Sequence, residues 1–329
     1  MKILPFLFLC NQAEAADSLN VLFIGNSFTH MHEMPAIFNK IAESKNKKIH
    51  VEWNTQSGSS FAIHSERVEL YKAIKKRQWD YVILQGYSRE FAVSNSHIDT
   101  ATVPYLSAII DSVKEHQPCA NLLFYVTWGY KNGFAESEDI NTFDKMSLKI
   151  QKGYAFIGKK YGIPLVPVGN VFQLVRAKYP KINLYAEDAM HPSKEGSYLA
   201  ACTFYSAIFK ESCIGALTKT IAFEDANRIQ ETVSNFVLRN LQKFSLHENT
   251  FSVKSFKQVL NGGNSITQVT CSANYPDAKS YSWETSSGIV SNGSKLVFNL
   301  TTPGKYKVKF TLKRSCGEEQ SYVKEVIVK

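Results

Sequence analysis

The chain lacks any long apolar run. No segment approaches the roughly 18–20 consecutive apolar residues of a membrane-spanning helix, which excludes a protein built on transmembrane helices. It has no C-x-x-C pair either, so the ligand spacing of zinc ribbons and the redox motif of thioredoxins are missing. Internal repeats and low-complexity segments are absent. With 44% hydrophobic and 20% charged residues the composition is near the globular average, which excludes disordered, collagen-like and coiled-coil chains. A length of 329 residues exceeds one average domain and suits two. It also permits a large core that needs neither metal nor disulfide to fold.

What is present begins with charge. Against 29 Asp and Glu stand 38 Lys and Arg, a formal net charge of +9. The basic residues are scattered, as at Lys45, Lys47 and Lys48 or Lys75, Lys76 and Arg77. Lys305, Lys307 and Lys309 alternate, as on the wet face of a strand. Without a recognition motif this pattern predicts no nucleic-acid partner. Met1–Ala16 reads as a signal peptide: Lys2, then apolar Ile3–Cys10, then the Ala13-Glu14-Ala15 cleavage pattern. The expectation is a secreted or periplasmic protein. Lipoprotein anchoring at Cys10 is disfavoured, because Leu9 stands where a small residue is wanted. The six cysteines fit an oxidising compartment. Cys271 could pair with Cys316 and Cys202 with Cys213, leaving Cys119 odd, although connectivity does not follow from sequence.

Two periodicities divide the rest, and the expected domains are 17–248 and 249–329, with the boundary near His247–Thr250. In the first, apolar runs at Val21–Ile24, Ile49–Trp53, Tyr81–Leu84, Leu122–Val126 and Leu165–Val168 read as strands buried on both faces. Between and after them, Pro35–Ser44, Ser65–Lys76, Val103–His116, Thr142–Tyr161, Ser193–Phe209 and Phe223–Leu241 carry apolar residues at helical spacing. This alternation predicts a three-layer α/β/α sandwich around a parallel sheet. The second region has short strand-like runs punctuated by Gly262-Gly263, Gly288, Asn292-Gly293 and Pro303-Gly304. It predicts a small all-β sandwich with Cys271 and Trp283 in its core.

In such α/β folds ligands bind beyond the carboxyl ends of the strands. The first strand is followed by Gly25-Asn26-Ser27-Phe28-Thr29, which places a serine in a tight turn, suited to a nucleophile with its own oxyanion donor. Ser27 as a plain helix cap is the alternative. Late in the domain comes Asp188-Ala189-Met190-His191-Pro192. His191 there could take the proton of Ser27 while Asp188 orients the imidazole.

These blocks resemble the first and last blocks of the SGNH (GDSL-type) hydrolases, over roughly Val21 to Phe209. The stretch His191–Ala200 is similar to a branch found in secreted bacterial proteins, some related to carbohydrate esterases. The resemblance implies a catalytic triad of Ser27, His191 and Asp188. It implies an oxyanion hole from the Ser27 N–H, from Gly58 just after the second strand, and from a third donor. The family's G-x-N-D block is replaced by Gln85-Gly86-Tyr87-Ser88, so either Gln85 or Ser88 is the third donor. The C-terminal region resembles PKD-like and immunoglobulin-like modules, expected to act as a spacer or a glycan contact.

Other residues carry weaker signals. Tyr87 and Trp128 could form an aromatic platform for a sugar ring, with Ser88 beside it, or a packed aromatic loop; Arg89 could meet an acidic sugar, but is expected to face water. His30 and His32 form an H-x-H after the first strand, which would suit a metal-dependent hydrolase; the other reading is two loop histidines beside the site. A non-catalytic glycan-binding or adhesion protein is a further alternative. The favoured expectation is a secreted serine esterase removing acyl groups, acetyl foremost, from a carbohydrate. It needs neither cofactor nor metal, and its partner is a small-molecule or glycan ester.

Overall fold

The computed structural model describes residues 18–219, 221–246, 251–259, 265–273, 275 and 278–328. The expected signal peptide and the expected domain boundary lie outside them.

The first part alternates strands and helices: β1 (Leu19–Gly25), α1 (Ser27–His30), α2 (Met34–Ser44), β2 (Ile49–Thr55), α3 (Phe61–Ser65), α4 (Val68–Lys75), β3 (Tyr81–Leu84), α5 (Asn95–Ala101), α6 (Val103–His116), β4 (Asn121–Tyr125), α7 (Phe143–Tyr161), β5 (Leu165–Val166), α8 (Val168–Lys178), α9 (Lys194–Phe209) and α10 (Phe223–Arg239). The five strands form one parallel sheet in the order β2-β1-β3-β4-β5. Successive side chains of a strand point to opposite faces. Val21, Leu22, Phe23 and Ile24 are all at most 1% exposed, so both faces of β1 are covered. The α/β/α arrangement therefore follows from the apolar runs themselves. Helix α9 is the most deeply seated, with Gly196–Ile208 buried throughout. It packs on α2, α8 and α10, while α3, α4 and α5 gather around α6.

Two boundaries differ from expectation. The run at Leu165–Val168 is a strand only over Leu165–Val166; Pro167 caps a helix that begins at Val168. A short apolar run does not separate strand from buried helix. Val168, Val171, Phe172 and Val175 form the buried stripe of α8. The helix expected at Ser65–Lys76 spans Val68–Lys75, and a separate short helix, α3, ends at Ser65 before it.

The second part comprises β6 (Ser252–Val259), β7 (Ser265–Ser272), β8 (Ala278–Thr285), β9 (Val290–Asn292), β10 (Lys295–Leu300), β11 (Gly304–Arg314) and β12 (Glu319–Val328). They form two antiparallel sheets, β10-β7-β6 and β12-β11-β8-β9. Their own apolar cluster is built on Val269, Cys271, Trp283, Val308, Phe310 and Leu312. This is the expected all-β sandwich, with Cys271 and Trp283 inside it.

The disulfide pairing is a correction. Cys119, expected to be odd, is bonded to Cys316 across 197 positions of sequence. Cys271, Cys202 and Cys213 are buried free thiols. Cys316 lies in the turn between β11 and β12, which meets the segment just before β4; Arg314 beside it donates to the Cys119 carbonyl at 3.0 Å.

Candidate active site

β1 ends at Gly25, at the point where the sheet order reverses between β1 and β3. In this strand order that is where the crevice opens. Asn26 caps α1, its side chain accepting from the Phe28 N–H at 3.0 Å. Ser27 is thus the first residue of a helical turn, where backbone N–H groups lack intrahelical partners. Among the described residues the Ser27 N–H has no backbone acceptor.

Under this turn lies Gln85, fully buried at the end of β3. Its Oε1 accepts from the Asn26 N–H at 2.9 Å and the Thr29 hydroxyl at 2.8 Å. Its Nε2 donates to the Gly86 carbonyl. The carbonyl oxygen of this side chain thus braces the turn that carries Ser27. Ser88, the other candidate, is also buried and shares a 2.6 Å hydrogen bond with the Tyr130 hydroxyl.

The loop before α9 brings in the acid and the histidine. A bridge between Tyr185 and Pro192 closes the loop, and Ala189 turns it in the left-handed conformation at φ 60°. Asp188 Oδ1 accepts from the backbone N–H groups of Met190 and His191, both at 2.9 Å. Its Oδ2 faces His191 Nδ1. Facing a carboxylate, Nδ1 carries the proton, and the Nε2 lone pair turns to the Ser27 hydroxyl, 2.7 Å away. Partial burial pushes the Asp188 carboxyl upward, but the bonds from the His191 ring and the two N–H groups outweigh it and hold the carboxyl below its ordinary value. The residue stays ionised, as a partner to an imidazolium must.

Gly58 sits in the turn after β2 at φ 70°, exposed, with no backbone acceptor for its N–H among the described residues. That turn leaves the sheet beside the nucleophile: Thr55 pairs with Gly25, and the Gln56 N–H donates to the Gly25 carbonyl at 3.2 Å.

Trp128 is a further correction. It is fully buried, stacked between Phe28 at 4.8 Å and Phe172 at 4.1 Å, so it offers no face to a sugar. Tyr87 is half-buried beside Arg89. Arg89 does not simply face water, since its guanidinium lies 3.8 Å from the centre of the Phe134 ring. His30 and His32 diverge. His30 contacts Thr55 Oγ1 at 3.0 Å and His32 contacts the Pro192 carbonyl at 3.2 Å, so they do not converge on one ion.

Sequence reading missed the residues that brace the site: Gln85 in its structural role, Thr29, Tyr130 and the wedge formed by Trp128. The polar Gln85 at the end of an apolar run was the one available signal.

No protein-family model matches the chain, and no curated protein does. Solved structures do. A DUF4886 family protein from Bacteroides uniformis ATCC 8492 matches with a TM-score of 0.60 at 20% identity, over 68% of this chain and 95% of that one. An acetyl xylan esterase, AlAXEase, matches with 0.45 at 13% identity, over 58% and 100%. The psychrotrophic esterase EstA from Pseudoalteromonas sp. matches with 0.42 at 13% identity, over 58% and 97%. The first of these shares the fold of the α/β part.

Proposed function

We propose that this chain is a serine esterase of the SGNH type, with Ser27 as nucleophile. The carrying observation is the unbroken relay from Asp188 through His191 to the Ser27 hydroxyl at 2.7 Å. It stands at the reversal point of a parallel sheet, where ligands bind.

Ser27 Oγ attacks the ester carbonyl as His191 Nε2 takes its proton, and the ionised Asp188 stabilises the imidazolium. The oxyanion is held by the N–H groups of Ser27 and Gly58. His191 then protonates the departing alcohol, and water attacks the acyl-enzyme by the same route. Removing one oxyanion donor costs roughly 3 kcal/mol of barrier in comparable sites. Buried polar bonds engage the side chains of Gln85 and Ser88, so two backbone donors form the hole in this reading.

Acetyl esters of carbohydrates remain the proposed substrate class, supported by the sequence resemblance and by the half-buried Tyr87 near the site. Export is proposed from the composition of Met1–Ala16, and a disulfide between Cys119 and Cys316 suits an oxidising compartment. The C-terminal sandwich is proposed as a spacer or a glycan contact.

The test is hydrolysis of p-nitrophenyl acetate and butyrate. Ser27→Ala and His191→Ala should each lower kcat by about 10⁴ or more, and Asp188→Asn by about 10⁴. EDTA should leave the rate unchanged. Activity surviving in Ser27→Ala would sink the reading.

A further inference from the structure

Beyond the triad, we infer that His30 is a positioning residue that sets the oxyanion-hole turn against the nucleophile; this rests on the esterase reading above. His30 ends the same helical turn that Ser27 begins, three residues on and so on the same side of α1. Its ring reaches the turn after β2 at two points. Nδ1 shares a 3.0 Å hydrogen bond with Thr55 Oγ1, and Nε2 approaches Ser57 Oγ at 3.4 Å. Gly58 is the next residue, left-handed at φ 70°, in a turn that the Ser59 N–H also closes onto the Gln56 carbonyl at 3.2 Å and that Asn26 Nδ2 holds through the Ser59 carbonyl at 3.1 Å. The imidazole is thus a strut between the element that carries the nucleophile and the element that carries the second N–H donor.

Both partners are hydroxyls, which accept as well as donate, and a neutral imidazole bridges them with one nitrogen donating and the other accepting. Burial, and then the nearby His191, hold His30 below its ordinary value. A neutral His30 also places no second positive charge beside the imidazolium that forms on His191. An oxyanion donor must stand within hydrogen-bond reach of the transition-state oxygen. A donor displaced by a fraction of an ångström loses effect in the transition state and little in substrate binding.

The experiment uses the full chain, the p-nitrophenyl acetate rate, and the rate at which diethyl p-nitrophenyl phosphate phosphorylates Ser27, read by mass spectrometry. His30→Ala should lower kcat and the labelling rate about tenfold, with KM changed less than about twofold. His30→Gln, which can still donate and accept, should recover most of the loss. In a Gly58→Ala background, His30→Ala should cause little further loss, because both act through one donor. Wild-type rates in His30→Ala, no recovery in His30→Gln, or losses that multiply with Gly58→Ala would each overturn the role of His30 while labelled Ser27 leaves the esterase reading standing. A wild-type protein not labelled on Ser27 would instead overturn the esterase reading, and the inference with it.

Discussion

Gly25 has no room for a β-carbon. One built there would stand 2.6 Å from both Gln85 Oε1 and Thr29 Oγ1, the atoms that fix the nucleophile's turn. Gly25→Ala should therefore destabilise the protein by about 1–3 kcal/mol, as overpacking does, and lower kcat more than it raises KM. Denaturant midpoints and steady-state kinetics on the same preparation check both halves. Glu90 gives a residue-scale prediction of another kind. Burial pushes its carboxyl up from 4.5 to about 7, against hydrogen bonds from the Tyr87 and Phe61 N–H groups and the Thr102 side chain. Between those values the folded chain binds this proton more tightly than the unfolded chain, so stability falls as pH rises from about 4.5 to about 7. His64 has the opposite sign: burial and Arg67 lower it to about 4, and its contribution is lost as pH falls through 6.5 towards 4. Glu90→Gln should leave the His64 slope and remove its own, a change of about 2 kcal/mol between pH 5 and pH 8. Urea unfolding at the two pH values measures it; an unchanged difference would mean Glu90 titrates normally. At this scale the sequence is legible where chemistry is local. Gly25-Asn26-Ser27 and Asp188–His191 announce themselves, because turns and caps are written in neighbouring residues. The bracing role of Gln85 is not legible, because the groups its Oε1 accepts from lie in the turn after β1 and in α1, some sixty positions away.

Among the elements, Trp128 joins both catalytic loops. Its ring packs on Phe28, the neighbour of Ser27, with planes 5° apart, and on Phe172 of α8 with planes 2° apart. Its Nε1–H donates to the carbonyl of Met190, the neighbour of His191, at 3.1 Å. Trp128→Ala should cost about 3–5 kcal/mol through the cavity it leaves and should uncouple Ser27 from His191. Trp128→Phe keeps the stack but leaves the Met190 carbonyl unpaired, so stability should fall by about 1–3 kcal/mol while kcat drops and KM stays. Calorimetry and kinetics on both variants separate the two effects; equal kcat in Trp128→Phe and wild type would show that the bond to Met190 does not matter for catalysis. The wedge also explains a limit of pattern reading. An aromatic after a strand looks the same in sequence whether it lines a cleft or fills the space between loops. Strands β1, β3 and β4 were legible because their apolar runs are continuous. Helix α8 was not: its first turn prolongs the apolar run of β5, and only Pro167 marks the change. There Gly169 lets the helix approach the chain after β4, since a β-carbon would lie 1.9 Å from the Thr127 carbonyl.

At the scale of the whole molecule, activity and linkage lie at opposite ends of one sheet. Ser27 follows the carboxyl end of β1, whereas Cys119 precedes the start of the parallel strand β4. The C-terminal sandwich is bonded to that far end by the disulfide to Cys316 and by the nearly buried Arg314, which also pairs with Glu318 at 2.8 Å. A cleft of about 680 Å³ lined by Tyr81, Gln117, Tyr161 and Arg314 lies there, remote from the triad. No spacing rule gives this pairing, because the two cysteines stand 197 positions apart, in parts of the chain that build separate apolar clusters. The arrangement makes stability and catalysis separable. Replacing both Cys119 and Cys316 by serine removes a constraint across 197 positions, and closing loops of this size stabilises by about 2–5 kcal/mol. The variant should melt at lower temperature, with the all-β part released first and digested first by protease. Its kcat on p-nitrophenyl acetate should remain within about twofold of wild type, because an intact, pre-organised site sets the rate and the disulfide lies at the end of the sheet opposite Ser27. A matched loss of activity and stability would show instead that the sandwich helps to build the active site. Loss of stability alone would show that the disulfide holds the two parts together without shaping the site.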